Sequence, residues 1–186
     1  MTLSRADLWA LLRLTLTDPS QAAQVLLGLA LPPAGRMAAL GLVTALSAML
    51  LWAVYAVFPM QLPDGTVVPT PGPLFWAVMV ATGLAVLAVA ILGLGRLAGG
   101  RGTLSGILTL LAWFQFVQLA MFVAQVVLLL ALPPLGILLT LVSLGLTVWI
   151  LAHFIRAAHG FASIRGPVLA ILAVGALLFL LLLNGA

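Results

Sequence analysis

Five long apolar stretches, separated by short connections, leave few folds open to this 186-residue sequence. An α-helix needs about 20 mostly apolar residues to cross the hydrocarbon core of a bilayer. Each of the five stretches is close to that length or exceeds it, and lipid then serves as the solvent for most of the surface. We therefore predict an all-α integral membrane protein with five transmembrane helices. The predicted spans are about 36–58, 74–95, 104–132, 135–155 and 167–183.

The scarcity of charge excludes a water-soluble domain. Hydrophobic residues make up 65% of the chain and charged residues only 5%, whereas a soluble domain has about 25% charged residues. The arginines are scattered and form no basic stripe, so we predict no nucleic-acid partner. The chain has no cysteine, which excludes disulfides and thiolate ligands. We predict no cofactor.

The third and fourth predicted spans are separated only by Pro133-Pro134. Proline is tolerated as a kink inside a membrane helix, so a single continuous helix is the competing interpretation. That helix would contain about 50 residues, far more than the thickness of a bilayer accommodates. We therefore expect a tight helical hairpin at this point.

All seven arginines fall on one side of the predicted spans, because the connections alternate between arginine-bearing and arginine-free. The positive-inside rule assigns the arginine-bearing side to the cytoplasm. We therefore predict that the N-terminus is cytoplasmic and that the C-terminus lies on the opposite side of the membrane. The use of Arg alone, with abundant Ala, Leu and Gly, is typical of a GC-rich bacterial genome, so we expect that opposite side to be the periplasm. The expected membrane is the bacterial inner membrane. The predicted cytoplasmic-side anchors are Arg5, Arg13, Arg36, Arg96, Arg101, Arg156 and Arg165.

Residues 1–33 precede the spans and are predicted to form a cytoplasmic, interfacial helical segment, followed by a transmembrane domain over 34–186. Ser4 with Asp7 three residues later matches a capping box. Asp18 followed by Pro19 is a typical start for a second helix. We expect that second helix to continue to about residue 31.

The first of these helices is predicted to be amphipathic. Its apolar face contains Leu8, Trp9 and Leu12 with Leu16 below them, and Arg5, Arg13 and Thr17 point elsewhere. Such a stripe serves a helix that lies in the membrane interface. It serves equally well a helix that packs against the base of the bundle. Sequence alone leaves both interpretations open.

Uncharged polar residues form a face on each of the third and fourth spans. These candidate interhelical contacts are Gln115, Gln118, Gln125, Thr140, Ser143 and Thr147. Such side chains hydrogen-bond between membrane helices, although they are also suited to line a solute path. No charged residue lies at mid-depth, which argues against a proton-coupled carboxylate relay and against an intramembrane protease. We expect no catalytic or metal site.

Two histidines lie near the cytoplasmic end of the fourth span. His153 and His159 are six residues apart and so do not share a helical face, and no Cys or Glu accompanies them. They therefore make a poor metal site. We expect His153, close to Arg156, to lie at the membrane interface.

Several short motifs together resemble a known family. They are Gly99-Gly100-Arg101-Gly102-Thr103 before the third span, Trp149 to His153 and His159-Gly160 at the end of the fourth, Ser163 with Arg165 after it, and Asp18-Pro19 near the N-terminus. The chain in this respect is similar to the bacterial branch of the Yip domain family, the Ypt/Rab-interacting type of five-span membrane protein. The resemblance implies five spans and a cytoplasmic N-terminus.

In eukaryotic members, the same resemblance implies Golgi and vesicle roles with Rab-type GTPases. Their cytoplasmic tyrosine- and glycine-containing motifs are absent here, and the single tyrosine, Tyr55, lies within the first predicted span. A GTPase-binding role therefore does not transfer, and the bacterial relatives imply no defined activity.

We predict that the chain is not an enzyme but a scaffold or an accessory subunit of a larger membrane complex. Its expected contacts are membrane lipid and either other integral membrane subunits or a second copy of the chain. The alternative is a channel or permease component for a small solute, lined by the uncharged polar residues. A further alternative is a membrane-shaping protein that acts through its N-terminal helix.

Overall fold

The computed structural model describes residues 4–185, and within them the chain forms seven α-helices. In chain order they are α1 (Arg5–Thr17), α2 (Pro19–Gly28), α3 (Pro33–Val57), α4 (Pro73–Leu97), α5 (Leu104–Ala131), α6 (Pro133–His159) and α7 (Arg165–Gly185). No β-strand occurs among these residues, and one isolated bridge joins Gln61 and Val67. The all-α prediction is confirmed.

Four helices, α3 to α6, are long and apolar enough to cross a membrane. Their outward surfaces carry exposed apolar side chains such as Leu42, Val86 and Leu141, as expected where lipid replaces water. A further apolar helix, over Arg165–Leu181 within α7, is shorter than these four. The chain is therefore a multi-pass membrane protein with four candidate spans in its described part.

Helix boundaries depart from the predicted spans where capping chemistry, rather than hydropathy, ends the helix. Helix α3 begins at Pro33 because proline suits the first helical position. Helix α6 runs past the predicted end at residue 155 and stops at Gly160, which has the left-handed φ of 71°. Hydropathy falls at Arg156, but the arginine continues the helix, and a left-handed glycine is a common stop.

The predicted hairpin between the third and fourth spans is present as two separate helices, α5 and α6. The chain reverses at Leu132, whose N–H donates to Leu128 O at 2.7 Å. Gly136 lies directly against α5, and a Cβ there would lie 2.7 Å from the backbone nitrogen of Leu129. Only glycine allows the two backbones to approach this closely.

The caps predicted for the N-terminal helices are confirmed. Ser4 and Asp7 form a reciprocal capping box at the start of α1, and the Asp18 side chain accepts from Gln21 N at the start of α2. The hydrogen bonds from Ser4 hold the pKa of the Asp7 carboxyl below its usual range. Helix α2 ends at Gly28, three residues earlier than expected.

The predicted face of α1 is wrong in two residues, Trp9 and Leu16, and Leu16 is 40% exposed. Leu8 and Leu12 are half-buried against the rest of the protein, together with the buried Leu11. Trp9 is 70% exposed, because adjacent residues on a helix point about 100° apart. Helix α1 therefore packs on the bundle through one face and presents Trp9 on another.

The hydrophobic core is concentrated where α1 and α2 meet α5 and α6. It includes Leu11 of α1, Ala22 of α2, Phe114 of α5 and Ile150 of α6. The N-terminal helices thus share one core with the candidate spans. In α5, the buried residues all lie between Ile107 and Val117, and the second half of the helix is less covered.

Aromatic side chains lie where α3 ends and α4 begins, next to the connection between these two helices. The Tyr55 and Trp76 rings stack with their centroids 4.9 Å apart, and Phe75 meets Trp76 edge-on at 5.6 Å. Enrichment in Trp and Tyr is typical of membrane–water interfaces. Beyond these rings, the α3–α4 connection turns at Asp64, whose pKa is lowered by the backbone N–H of Thr66.

Candidate functional site

A polar cavity of about 440 Å³ lies between α3, α5 and α6. The six polar residues singled out in the sequence all line it, although they come from two helices and are spread over 33 positions of the chain. They are Gln115, Gln118, Gln125, Thr140, Ser143 and Thr147. The apolar remainder of the wall includes Leu51 and Phe122.

Two hydrogen bonds link helices across this cavity. Gln115 Nε2 donates to Ser47 Oγ of α3 at 3.0 Å, and Thr147 Oγ1 of α6 lies 3.2 Å from Gln118 Oε1. Bonds of this kind contribute about 0.6 kcal/mol each between membrane helices. They join α5 to α3 on one side and to α6 on the other.

The three hydroxyls of α6 also bond to their own helix. Thr140, Ser143 and Thr147 each lie within 3.0 Å of the backbone carbonyl oxygen four residues earlier. This back-bonding satisfies a hydroxyl donor inside an apolar medium. Thr147 has a single hydroxyl proton, so its contacts with Ser143 O and with Gln118 Oε1 share one donor. Gln125, in the same wall, is half-buried.

Ser47 is a cavity residue that sequence reasoning missed. It is 5% exposed and is the only polar residue that α3 contributes to the wall among the described residues. A lone serine in an apolar helix carries no periodic signal, because its importance depends on how α3 is rotated toward α5.

A second feature is the close packing of three glycines on His159, where α4 and α6 end and α5 begins. His159 is 2% exposed, and its Nδ1 lies 3.1 Å from Ile155 O. Gly95, Gly100 and Gly102 are packed so closely on its ring that a Cβ on any of them would overlap the imidazole. We call these four residues the glycine–histidine junction.

The junction fixes the α4–α5 connection against the end of α6. Arg101 N donates to His159 O at 3.1 Å, and Gly100 N donates to Gly95 O at 2.8 Å. The His159 ring also stacks on Phe161 at 5.3 Å. Two of the motifs that carry the family resemblance, Gly99 to Thr103 and His159-Gly160, therefore meet in space.

His153, which we expect near the membrane interface, is covered by neighbouring side chains of the protein. It is 7% exposed, with Nδ1 lying 2.8 Å from Trp149 O and the two rings 4.0 Å apart. His153 is therefore packed inside the protein. Within the described part of the chain, no group of three or more His, Cys, Asp or Glu is placed to hold a metal ion.

The predicted anchor arginines lie in α1, in the terminal turns of helices, or, for Arg101, in the α4–α5 connection. Arg36 Nε donates to Thr109 Oγ1 of α5 at 3.2 Å, which joins the start of α3 to the start of α5. Arg156 Nε donates to Phe161 O at 3.2 Å across the end of α6. The other five have exposed side chains: Arg5, Arg13, Arg96, Arg101 and Arg165.

Comparison with known families matches residues 13–184 to the Yip1 domain. The chain belongs to the Yip1 domain family. The match runs from the middle of α1 to the end of α7 and contains both the polar cavity and the glycine–histidine junction. The resemblance inferred from the glycine and histidine motifs is thereby confirmed. No curated protein and no solved structure matches the chain significantly.

Proposed function

We propose that this Yip1 domain protein is a non-enzymatic scaffold or accessory subunit of a larger complex in a bacterial inner membrane. The observation that carries the proposal is an open small-residue face on α3. Gly41 and Ala45 are exposed one turn apart, and nothing lies within 4 Å of a Cβ placed on Gly41. Among the residues that the structure describes, none packs on Gly41.

Small residues on the lipid side of a membrane helix favour contact with another helix. Lipid tails are as apolar as leucine, so helices associate through close backbone approach and van der Waals packing. A glycine and an alanine four residues apart permit that approach. Ala81 and Ala85 on α4 are exposed with the same spacing, which gives the surface a second place of this kind.

Cysteine cross-linking tests the proposal directly, because the chain has no cysteine of its own. We expect Gly41→Cys to form a cross-linked species with a partner chain in native membranes. Gly145→Cys on α6 is the matched control, because Gly145 is also exposed with open space around it. Equal cross-linking at both positions, or none at Gly41→Cys, would contradict an interface on α3.

We further propose that α7 is a fifth span, with the N-terminus cytoplasmic and the C-terminus periplasmic. The convergence of the arginine-bearing helix ends supports one cytoplasmic end under the positive-inside rule. Membrane-impermeant maleimide applied to intact spheroplasts should label Asn184→Cys and spare Ser4→Cys. Labelling of both positions would rule out the odd number of crossings.

A second candidate is a permease component for a small polar solute, and the polar cavity supports it. Its wall combines seven uncharged polar side chains, Ser47 included, around a volume of about 440 Å³, large enough for a small molecule. Proteoliposomes should then release a small polyol such as glycerol faster than protein-free vesicles. Replacing Gln118 by Leu should slow that release, and equal rates in all three preparations would eliminate this candidate.

A further inference from the structure

A second cavity, of about 450 Å³, lies between α4, α6 and α7. Its wall is almost entirely apolar and includes Leu94, Gly95, Ile155, Phe161, Ala170 and Ile171. We call it the lateral groove. Its size falls within the range of cavities that hold a small ligand, and an apolar wall within a membrane bundle suits a hydrocarbon chain.

Two arginines are adjacent in sequence to wall residues at the end of the groove nearest the glycine–histidine junction. Arg96 directly follows the wall residue Gly95, and Arg165 lies between the wall residues Ser163 and Gly166. Both arginines are exposed. The two chain segments that form this end of the groove thus each carry a cation.

Each of the three aspartate side chains accepts a hydrogen bond in a part of the protein outside the lateral groove. Asp7 accepts from Ser4, Asp18 accepts from Gln21, and Asp64 accepts from Thr66 in the connection between α3 and α4. Each of them caps a helix or a turn. The positive end of the groove is therefore complementary to an anion that comes from outside the chain.

We propose that the lateral groove binds an anionic phospholipid, with one acyl chain against its apolar wall and the headgroup phosphate at Arg96 and Arg165. Arginine pairs with phosphate through a planar fork of donors. Basic pockets between membrane helices bind anionic headgroups on the same physical grounds. The lipid would bind in this groove whether or not the chain has a protein partner.

Native mass spectrometry of the full chain, released from nanodiscs, tests the proposal. The probe lipids are a phosphatidylglycerol and a phosphatidylcholine with identical acyl chains. We expect at least roughly tenfold preferential retention of phosphatidylglycerol, since each arginine near the headgroup favours the anion severalfold. Equal retention of the two lipids would overturn the proposal.

Two double variants locate the effect. Arg96→Gln with Arg165→Gln should abolish the preference, whereas Arg5→Gln with Arg13→Gln makes the same change in charge on α1 and should preserve it. Both pairs are exposed side chains, so neither change removes core packing. If both double variants lost the preference equally, the lipid would be held by the overall positive field and not by the groove.

A third variant tests the groove wall and a competitor tests the source of the phosphate. Ala170→Phe places an aromatic ring in the groove and should reduce retention of both lipids severalfold, with the unfolding midpoint measured in parallel to verify folding. Inorganic phosphate in excess should leave the retained phosphatidylglycerol in place. Displacement by phosphate, or undiminished retention in a folded Ala170→Phe variant, would refute insertion of an acyl chain.

Discussion

Replacing Gly95 by alanine should destabilise the protein although alanine is the better helix former. Gly95 lies inside α4, where the change by itself stabilises a helix by about 1 kcal/mol. The added methyl would overlap the His159 ring, and overpacking of a core costs about 1–3 kcal/mol and occasionally more. The ring has little room to move, because it is buried, bonded to Ile155 O and stacked on Phe161.

We therefore expect Gly95→Ala to lower the free energy of unfolding by about 2 kcal/mol, the net of an overpacking cost near 3 and a propensity gain near 1. Gly93→Ala is the matched control two residues away, because nothing lies within 4 Å of a Cβ there. It should be neutral or stabilising by at most about 1 kcal/mol. Unfolding in mixed micelles by titration with SDS, followed by tryptophan fluorescence, measures both.

A double-mutant cycle with His159→Ala identifies the cause. Without the imidazole, the methyl at position 95 enters vacated space, so Gly95→Ala should be neutral or stabilising in that background. The coupling energy between the two sites should then be about 2–3 kcal/mol, within the range seen for residues in direct contact. An equal cost of Gly95→Ala with and without His159, or an effect like that of Gly93→Ala, would contradict a clash between the methyl group and the ring.

Three further predictions concern hydrogen bonds outside the junction. Gln115→Leu removes the bond to Ser47 and should lower the free energy of unfolding by about 0.6 kcal/mol and at most about 2; an unchanged SDS titration would mean that the bond is not formed in the membrane. Trp113 Nε1 is buried and donates to Thr15 Oγ1 at 2.8 Å, so Thr15→Val leaves this N–H without a partner. The free energy of unfolding should fall by about 1–3 kcal/mol in the same titration. An unchanged free energy would show that α1 does not pack against α5 through this bond. The pKa of Asp7 is lowered in the folded protein. Its cap therefore stabilises α1 fully above the unfolded pKa of about 3.9, and this stabilisation is lost as the pH falls through the lower folded pKa. NMR titration of the amides in the first turn should give a midpoint below that of a free aspartate, and a midpoint at or above that value would contradict the capping box.

The elements of the fold that depend on local signals were predictable from the sequence. Long apolar runs located α3 to α6, Pro133-Pro134 marked the hairpin, and Ser4 with Asp7 and Asp18 marked the helix starts. Each of these signals acts within a few residues of its own position. The boundaries that were missed, as at the end of α6, were those at which a cap overrode a change in hydropathy.

The partners of the polar and histidine side chains were not predictable in the same way. Membrane helices that are apolar on all sides carry almost no record of which face meets which neighbour. The sequence could place Gln115 on a face but could not pair it with Ser47. Likewise, the glycines before α5 were recognisable as a motif, yet their role as the packing surface for His159 depends on how α4 and α6 cross.

The mass of the assembly extracted in mild detergent is the most direct test of the scaffold or accessory role. Affinity-purified protein should carry a second chain, either another membrane subunit or another copy, in a fixed ratio. Gly41→Leu should reduce that ratio, because a bulky side chain blocks close approach of the partner helix, and the protein itself should stay folded, since the site is open. Recovery of the wild-type chain only as a lone monomer would contradict the proposal.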